Sequence, residues 1–326
     1  MLCIGSPYTD PFFNLAAEEV LLKNRTEDYF LLYRNRPSIV VGKHQNTLAE
    51  INMSFIEKKG FTVARRISGG GTVFHDLGNV NFAFITSGRE GELVDYKKHT
   101  RPVIEALKGI GLDVKLGKRN ELLLGEKKIS GTASHVFKQR VLHHGTLLFS
   151  SEMNNLSQAL KIKPGKFEDR AVKSVRSEVT NIRDHLTEIL EVDTFQQLLF
   201  QSIMQSMKGA LPYQYSKNDL DEIRKLKESK FSSWDWNFGY SPPYHFSKTL
   251  RFGNGEMVLH MNVERGIIQE VRIYGDFLGS KDISGLENIF LGAIHDPQTV
   301  RMRLSDLEVE DYISGLDNEL FLSAMF

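Results

Sequence analysis

The sequence predicts a mixed α/β (α+β) protein in two parts, a large first unit with mixed sheets flanked by helices and a small α+β second one. Three observations carry that reading. The 326 residues exceed the usual size of one domain, so a large unit with a smaller companion is the natural expectation. Short apolar and alternating runs dominate up to residue 150, whereas 150–230 turns mostly helical. The stretch SSWDWNFGYSPPYHF at 232–246 then gathers both tryptophans with glycine and a proline pair, a composition that interrupts regular structure. It is the expected junction between a unit over 1–240 and one over 247–326.

Taken in order, NLAAEEVLLK at 14–23 is a helix, with Leu15, Val20, Leu21 and Leu22 inward and Glu18, Glu19 and Lys23 in solvent. YFLLYRN and SIVVGKHQN supply two short apolar runs separated by Pro37, 50–59 fits a short helix, and FTVARR is a further strand. After the three glycines, TVFHD and NVNFAFITS read as strands, the second setting Val80, Phe82 and Phe84 against Asn79, Asn81 and Ala83. A helix around 93–110 closes at Gly109 and Gly111; NELLLGEKKISGTAS and HHGTLLFS then make another pair of strands. Helices are expected at 194–208 and 218–229, after a basic, proline-containing loop at 163–177. Past the junction, GEMVLHMNVERGIIQEVRIYG alternates as two strands about Arg265 and Gly266, and helices are expected at 283–295 and 304–323.

Composition narrows the partners. Forty-one basic residues balance forty-one acidic ones, so no global field draws nucleic acid or an anionic membrane, and neither is an expected partner. The single cysteine, Cys3, rules out an internal disulfide and a zinc-cysteine cluster and fits the cytoplasm. No apolar run reaches the length of a membrane span, and the N-terminus lacks the basic and apolar regions of a signal peptide.

Four stretches carry chemistry. In ARRISGGGTVFHDLGNVNF, residues 64–82, Arg65 and Arg66 precede Ser68 to Gly71, which puts two cations and several unencumbered amides within one turn, a combination suited to phosphate oxygens. It is neither of the common nucleotide loops, because GxxxxGK[ST] and GxGxxG are both absent and no helix follows. A tight hairpin is the plain alternative. In GEKKISGTA, Lys127 and Lys128 precede Ile129, Ser130 and Gly131; lysine pairs usually decorate a solvated face. In HHGTLLFS, His143 and His144 point to opposite faces of a strand, so both cannot serve one site. In KSVRSEVTNI, Lys173 and Arg176 stand among hydroxylic residues in a loop that could clamp an acid.

Together and in this order, FNLAAEE, GKHQN, RRISGGGTVFHDLGNVNF, KKISGTA, HHGTLL, SVRSEVTN and WDWNFG make a chain that resembles the lipoate-protein ligase A family over essentially its whole length. The resemblance implies a biotin/lipoyl-ligase-like catalytic domain with a small C-terminal domain. It also implies a two-step reaction, in which lipoate and ATP give lipoyl-AMP and pyrophosphate, and the lipoyl group then passes to a lysine of a carrier domain. The implied partners are the lipoyl domains of 2-oxoacid dehydrogenase complexes and the glycine cleavage H protein.

Carried over by position, Lys128 matches the catalytic lysine that binds the acyl carboxyl and the nucleotide phosphate. Arg66 matches a nucleotide-binding arginine, Gly71, Thr72, Val73 and Phe74 the nucleotide-contacting run, and Asn79 a polar residue of the same pocket. Ser68, Gly69, Gly70, His75, Ser130, Gly131, His144 and Arg176 fall inside the matching motifs. Mg²⁺ is expected with ATP, with Asp76 and Glu121 as its candidate ligands. The SIVV and NFAF runs are candidates for an acyl slot, although core packing suits most of their residues better. Octanoyltransferases of this fold use a cysteine nucleophile, and Cys3 lies outside every motif. An amidotransferase without ATP activation and a non-catalytic lipoate-binding protein are the remaining alternatives.

Overall fold

The structure, a computed structural model, describes residues 1–88, 91, 93–160, 167–175, 177–253 and 255–326. The chain opens with β1 (Leu2–Gly5), α1 (Pro11–Asn24), β2 (Tyr29–Arg34), β3 (Ser38–Val41), α2 (Thr47–Glu50), α3 (Met53–Lys59) and β4 (Thr62–Arg65). The glycines follow, then β5 (Val73–His75), β6 (Asn79–Ser87), α4 (Tyr96–Gly109), β7 (Val114–Leu116), β8 (Leu122–Leu124), β9 (Lys127–Ser130), β10 (Thr132–Phe137) and β11 (Arg140–Leu148). Next come α5 (Met153–Ala159), β12 (Phe167–Asp169), α6 (Val192–Ser206), β13 (Leu211–Pro212) and α7 (Lys217–Leu226). The C-terminal part holds β14 (Tyr244–Phe252), β15 (Gly255–Glu264), β16 (Ile267–Asp276), α8 (Ile283–Asn288), α9 (Pro297–Leu304) and α10 (Asn318–Ala324).

A six-stranded sheet ordered β10-β11-β6-β2-β1-β13 forms the backbone of the first part, and two three-stranded sheets, β4-β3-β5 and β7-β8-β9, stand beside it. Strand β6 is buried along all but its last residue, because it lies inside the sheet with β2 on one side and β11 on the other and has packing on both faces. Its asparagines are therefore not on a wet face: Asn79 and Asn81 are both buried.

Helix α1 departs from the amphipathic reading. Asp10 caps it by accepting from the Phe12 amide, Pro11 starts it, and its residues are buried nearly all round, Glu18 and Glu19 included. The reason is that the helix is covered on several sides, by α7 and the wide helical turn Lys227–Phe231 as well as by β6 and β11. Glu19 is neutralised inside by Lys23 and Lys230. Helix propensity placed the element, and tertiary cover rather than periodicity set its exposure.

The C-terminal region also differs in detail. A third strand, β14, begins directly after the proline pair, and the tryptophan-rich stretch before it makes a short wide helical turn, Asp235–Gly239. The four-stranded sheet β12-β14-β15-β16 takes its edge strand β12 from before the junction, pairing Phe167 with Phe246 and Asp169 with Tyr244. Arg265 and Gly266, both at positive φ, make the tight turn between β15 and β16. Instead of one helix over 304–323 there are α9 and α10 with an irregular bend between them. Asn318 holds that bend, accepting from the Val309 amide and donating to the Leu307 carbonyl. In place of a helix over 283–295, α8 ends at Asn288, and Gly292 turns the chain at φ 73°.

Candidate active site

A cavity of about 340 Å³ opens between the large sheet, the β4-β3-β5 sheet and the β8–β9 hairpin. The glycine loop forms one wall. Gly70 sits at φ +88°, and Gly42 approaches it so closely that a Cβ on Gly42 would lie 2.0 Å from the Gly70 carbonyl oxygen, so neither position takes a side chain without moving backbone. None of the hydrogen bonds among the described residues uses the amides of Gly69, Gly70 or Gly71.

The two adjacent arginines divide. Arg65 is fully buried and points away from the cavity, donating to the carbonyls of Gly42, Lys43, Gln45, Trp236 and Asn237 and to the hydroxyls of Thr47 and Ser241. It is a staple between the 42–47 turn and the tryptophan-rich junction, and so is no part of an anion cradle. Arg66 lines the cavity but spends most of its donors on the loop: Nε to Ser68 Oγ, one terminal nitrogen to Val40, the other to Gly69 and Gly71. Of five N–H groups one is left over. Burial pulls both guanidinium groups down to about 10.

From Ser68 in this wall a buried chain of side chains leads inward. Tyr33 donates to Glu18 at 2.9 Å, both oxygens of Glu18 face His144 Nδ1 at 2.9 and 3.1 Å, and His144 Nε2 stands 2.6 Å from Ser68 Oγ. Glu18 therefore orients the ring from one side, and the ring orients the serine that accepts from Arg66. His143, the neighbour on β11, faces the other way and stacks on His99 with ring centroids 4.0 Å apart. Burial, with His99 beside it, pulls it down to about 4.

The third wall carries the lysine. Lys128 lines the cavity, whereas Lys127 is exposed and paired with Glu178 at 2.9 Å. No hydrogen bond or ion pair engages the Lys128 ammonium among the described residues. A Cβ on Gly131 would lie 3.3 Å from its Nζ. Burial lowers the pKa of this amine, with Glu121 acting the other way.

Arg66, Gly70, Gly71, Thr72, Val73, His75, Glu121, Lys128, Gly131 and His144 meet at this one cavity. Ser68 is fully buried and touches it only through His144 and Arg66. Asn79 is behind Asn81, to whose oxygen it donates at 2.9 Å. Gly69 has open space around it, and Ser130 is buried with a hydroxyl that has no partner among the described residues. Phe74 belongs to the core with Ile39 and Val41, because alternation along β5 turns it away from Val73 and His75. Among SIVV and NFAF only Val40 and Asn81 face the cavity. Arg176 lies outside the described residues.

The two metal candidates are not brought together. Both oxygens of Asp76 are taken, by the amides of Gly78 and Glu152, which makes it a turn former; Glu121 accepts from the Arg119 amide at the cavity edge. Among the described residues no group of three His, Cys, Asp or Glu could hold a metal ion by itself, so a magnesium ion here would take most of its ligands from phosphate and water oxygens. Cys3 is buried in a core cluster of the large sheet, away from the cavity.

Residues 172–175 run along the mouth as a strap. Its Ser174 hydroxyl accepts from the Thr72 amide and from Gln45, directly over Gly71. Further on, the Lys128 amide donates to the Glu178 carbonyl and the Thr180 amide to that of Lys128. Lys173 also lines the cavity and pairs with Asp169 at 2.6 Å. Sequence reasoning missed Asn14, Glu18, Tyr33 and Ser174. A detectable signal existed for the first two, namely polar residues four apart among the apolar residues of a helix.

The family described as the lipoyl protein ligase A/B catalytic domain matches residues 10–204, and the bacterial lipoate protein ligase C-terminus matches 241–325. The chain is 39% identical over 319 residues to lipoate–protein ligase 1 of Staphylococcus aureus and 37% identical over 321 residues to lipoate-protein ligase LplJ of Bacillus subtilis, covering 97% of both chains each time. Among solved structures, P. falciparum LipL1 in complex with lipoate superposes with a TM-score of 0.62 at 26% identity, over 99% of this chain and 97% of that one. A putative lipoate protein ligase from T. acidophilum gives the same score at 24% identity over 73% of this chain and 98% of that one, a likeness of fold. The chain belongs to the lipoate-protein ligase family and is an enzyme of that type, with the family's catalytic and C-terminal domains in that order.

Proposed function

We propose that this cavity activates lipoate with ATP and then passes the lipoyl group to a lysine of a carrier protein. The observation that carries the proposal is the Lys128 ammonium, partly desolvated and without a partner among the described residues, facing a loop of unused glycine amides. Such a site is short of anions and suits a carboxylate beside a polyphosphate. In the first step a carboxylate oxygen of lipoate attacks the α-phosphorus of ATP, the bond to the β-phosphate oxygen breaks, and pyrophosphate leaves. In the second, the carrier amine attacks the acyl carbon, loses a proton, and AMP leaves with the electron pair of the acyl–oxygen bond. A carboxylate alone does not acylate an amine, because its leaving group is poor; the mixed anhydride corrects that.

Lys128, as a compact point charge, follows the negative charge from carboxylate to phosphate. The glycine amides supply neutral donors, Arg66 holds their geometry, and the Ser174 strap shields the anhydride from water. Magnesium bound to the ATP phosphates would neutralise charge on the leaving pyrophosphate, with Glu121 the carboxylate at the cavity edge. The relatives' names and the lipoate held by the P. falciparum protein support lipoate as the acid. Lipoyl domains of 2-oxoacid dehydrogenase complexes and the glycine cleavage H protein are the carriers in this reading, and the reaction belongs to cytoplasmic salvage of free lipoate.

The test is pyrophosphate release from ATP with lipoate and no carrier, followed by transfer to an added lipoyl domain. Release and transfer together are expected. Transfer that needs no ATP would instead make the chain an amidotransferase, and binding without release a lipoate-binding protein.

A further inference from the structure

His75 lines the cavity, and its Nε2 is buried with no hydrogen-bond partner among the described residues. What that nitrogen carries is decided two side chains away. Asn14 Nδ2 lies 2.8 Å from the Tyr8 carbonyl and 3.3 Å from that of Arg34, and Asn14 Oδ1 accepts from the Ser6 hydroxyl. Two backbone carbonyls admit only a donor, so the amide of Asn14 has one orientation. The same nitrogen faces Asn35 Oδ1 at 2.8 Å, which leaves Asn35 Nδ2 to face His75 Nδ1 at 2.9 Å. An amide nitrogen only donates. His75 Nδ1 is therefore an acceptor, and in the neutral ring the proton sits on Nε2.

We propose that Asn14, acting through Asn35, is a positioning residue that fixes His75 as the Nε2–H tautomer, so that its ring donates a hydrogen bond to an oxygen of the acyl-phosphate anhydride made in the cavity. A buried N–H without a partner is costly, and a ligand oxygen on this side of the cavity removes the cost. The ring stays neutral because it is desolvated and faces Arg66 and His144, which hold it down at about 3; it polarises an oxygen without giving up a proton. Helix α1 thus assigns opposite duties to two histidines. Glu18 accepts from His144 Nδ1–H and so keeps a proton on that nitrogen, whereas Asn14, through Asn35, keeps the proton off Nδ1 of His75. The inference rests on the adenylating function proposed above.

The experiment has two arms on the full chain. In the first, ¹⁵N shifts of the histidine rings, with His75 assigned by its loss in His75→Gln, read the tautomer in the unaltered protein. Neutral Nε2–H is expected, and a neutral Nδ1–H ring would overturn the proposal whatever the variants do. In the second, Asn35→Asp replaces the donor by an acceptor, so the neutral His75 ring must turn its proton to Nδ1. Lipoate-dependent ATP–pyrophosphate exchange should fall at least about tenfold at pH 8 and recover as pH drops and the ring takes a second proton. His75→Gln, whose amide nitrogen reaches the Nε2 position, should retain more activity than His75→Leu. Exchange in Asn35→Asp equal to that of the unaltered protein at every pH would also overturn it. Absence of exchange in the unaltered protein would strike the adenylating function instead, and the tautomer measurement would still stand.

Discussion

Asn14 and Glu18 stand one turn apart on α1, both buried, and each ends against a different histidine of the cavity, one through Asn35 and the other directly. Residues four apart share a helix face, so a single helix sets the orientation of two rings that come from different strands. The catalytic geometry is consequently sensitive to how α1 is seated, and substitutions at the cavity can be told apart by which support they remove.

The two lysines of β9 give the sharpest contrast. Lys128→Ala leaves two anionic reactants without a counter-ion in a partly desolvated site, which should cut adenylate formation by about a hundredfold or more. Lys127→Ala removes only an exposed pair with Glu178 and should change little. Lys128→Arg should recover part of the activity, as it keeps charge but not head shape. Pyrophosphate exchange in the three variants decides the matter; a dead Lys127→Ala beside an active Lys128→Ala would put the strand the other way round.

Alkaline pH probes the same amine. Its pKa is lowered by burial in the free enzyme, so its charge is lost at a lower pH than for an ordinary lysine, and a bound anion should raise the value again. The alkaline fall in kcat/KM, which reports free enzyme, should come at lower pH than the fall in kcat, which reports the complex. Coincident limbs would remove Lys128 as their source.

The glycine loop should fail through backbone. On sequence grounds alone Arg66→Ala weakens ATP use far more than lipoate binding, but the structure shows Arg66 bonded to Val40, Ser68, Gly69 and Gly71. Its loss strands several buried acceptors, each worth about 1–3 kcal/mol, so stability and both substrates should suffer, and Arg66→Lys should rescue poorly. Gly42→Ala should shift the loop enough to cost about a hundredfold in adenylation. Gly69→Ala, which meets open space, should cost less. Thermal unfolding and KM for each substrate separate these outcomes.

Acid should unfold the protein early. His75 and His143 are held at about 3 and about 4, below the ordinary 6.5, chiefly by burial. Between those values the unfolded chain binds more protons than the folded one, so stability is complete above 6.5 and declines as pH falls. At pH 5 each histidine should remove up to about 2 kcal/mol. Urea midpoints at pH 7 and pH 5 test this; equal midpoints would contradict it.

Much of the fold was readable because glycines, prolines and alternating runs act locally. The RRISGGG turn, the lysine pair before Ile129 and the strands about Arg265 follow from neighbours in sequence. What was not readable depended on distant cover. Glu18 looked solvent-facing until Tyr33 and His144 met its carboxylate, Arg65 looked like a second phosphate cation until residues 236–241 supplied acceptors, and the Asp76 carboxylate looked free until the Gly78 and Glu152 amides engaged it. In each case a partner lies tens to hundreds of residues away.

Strand β12 crosses the boundary that the sequence suggested. The sheet of the C-terminal part completes its edge with three residues from before the junction, so a gene cut near residue 240 would not yield two self-contained proteins. The shorter product would carry β14 as a bare edge, with a row of unpaired amides and carbonyls ready to recruit any extended chain. Such a fragment should be sticky alone and should be quieted by the longer one, which makes the pair a natural starting point for a split reporter whose reassembly restores the strap over the cavity.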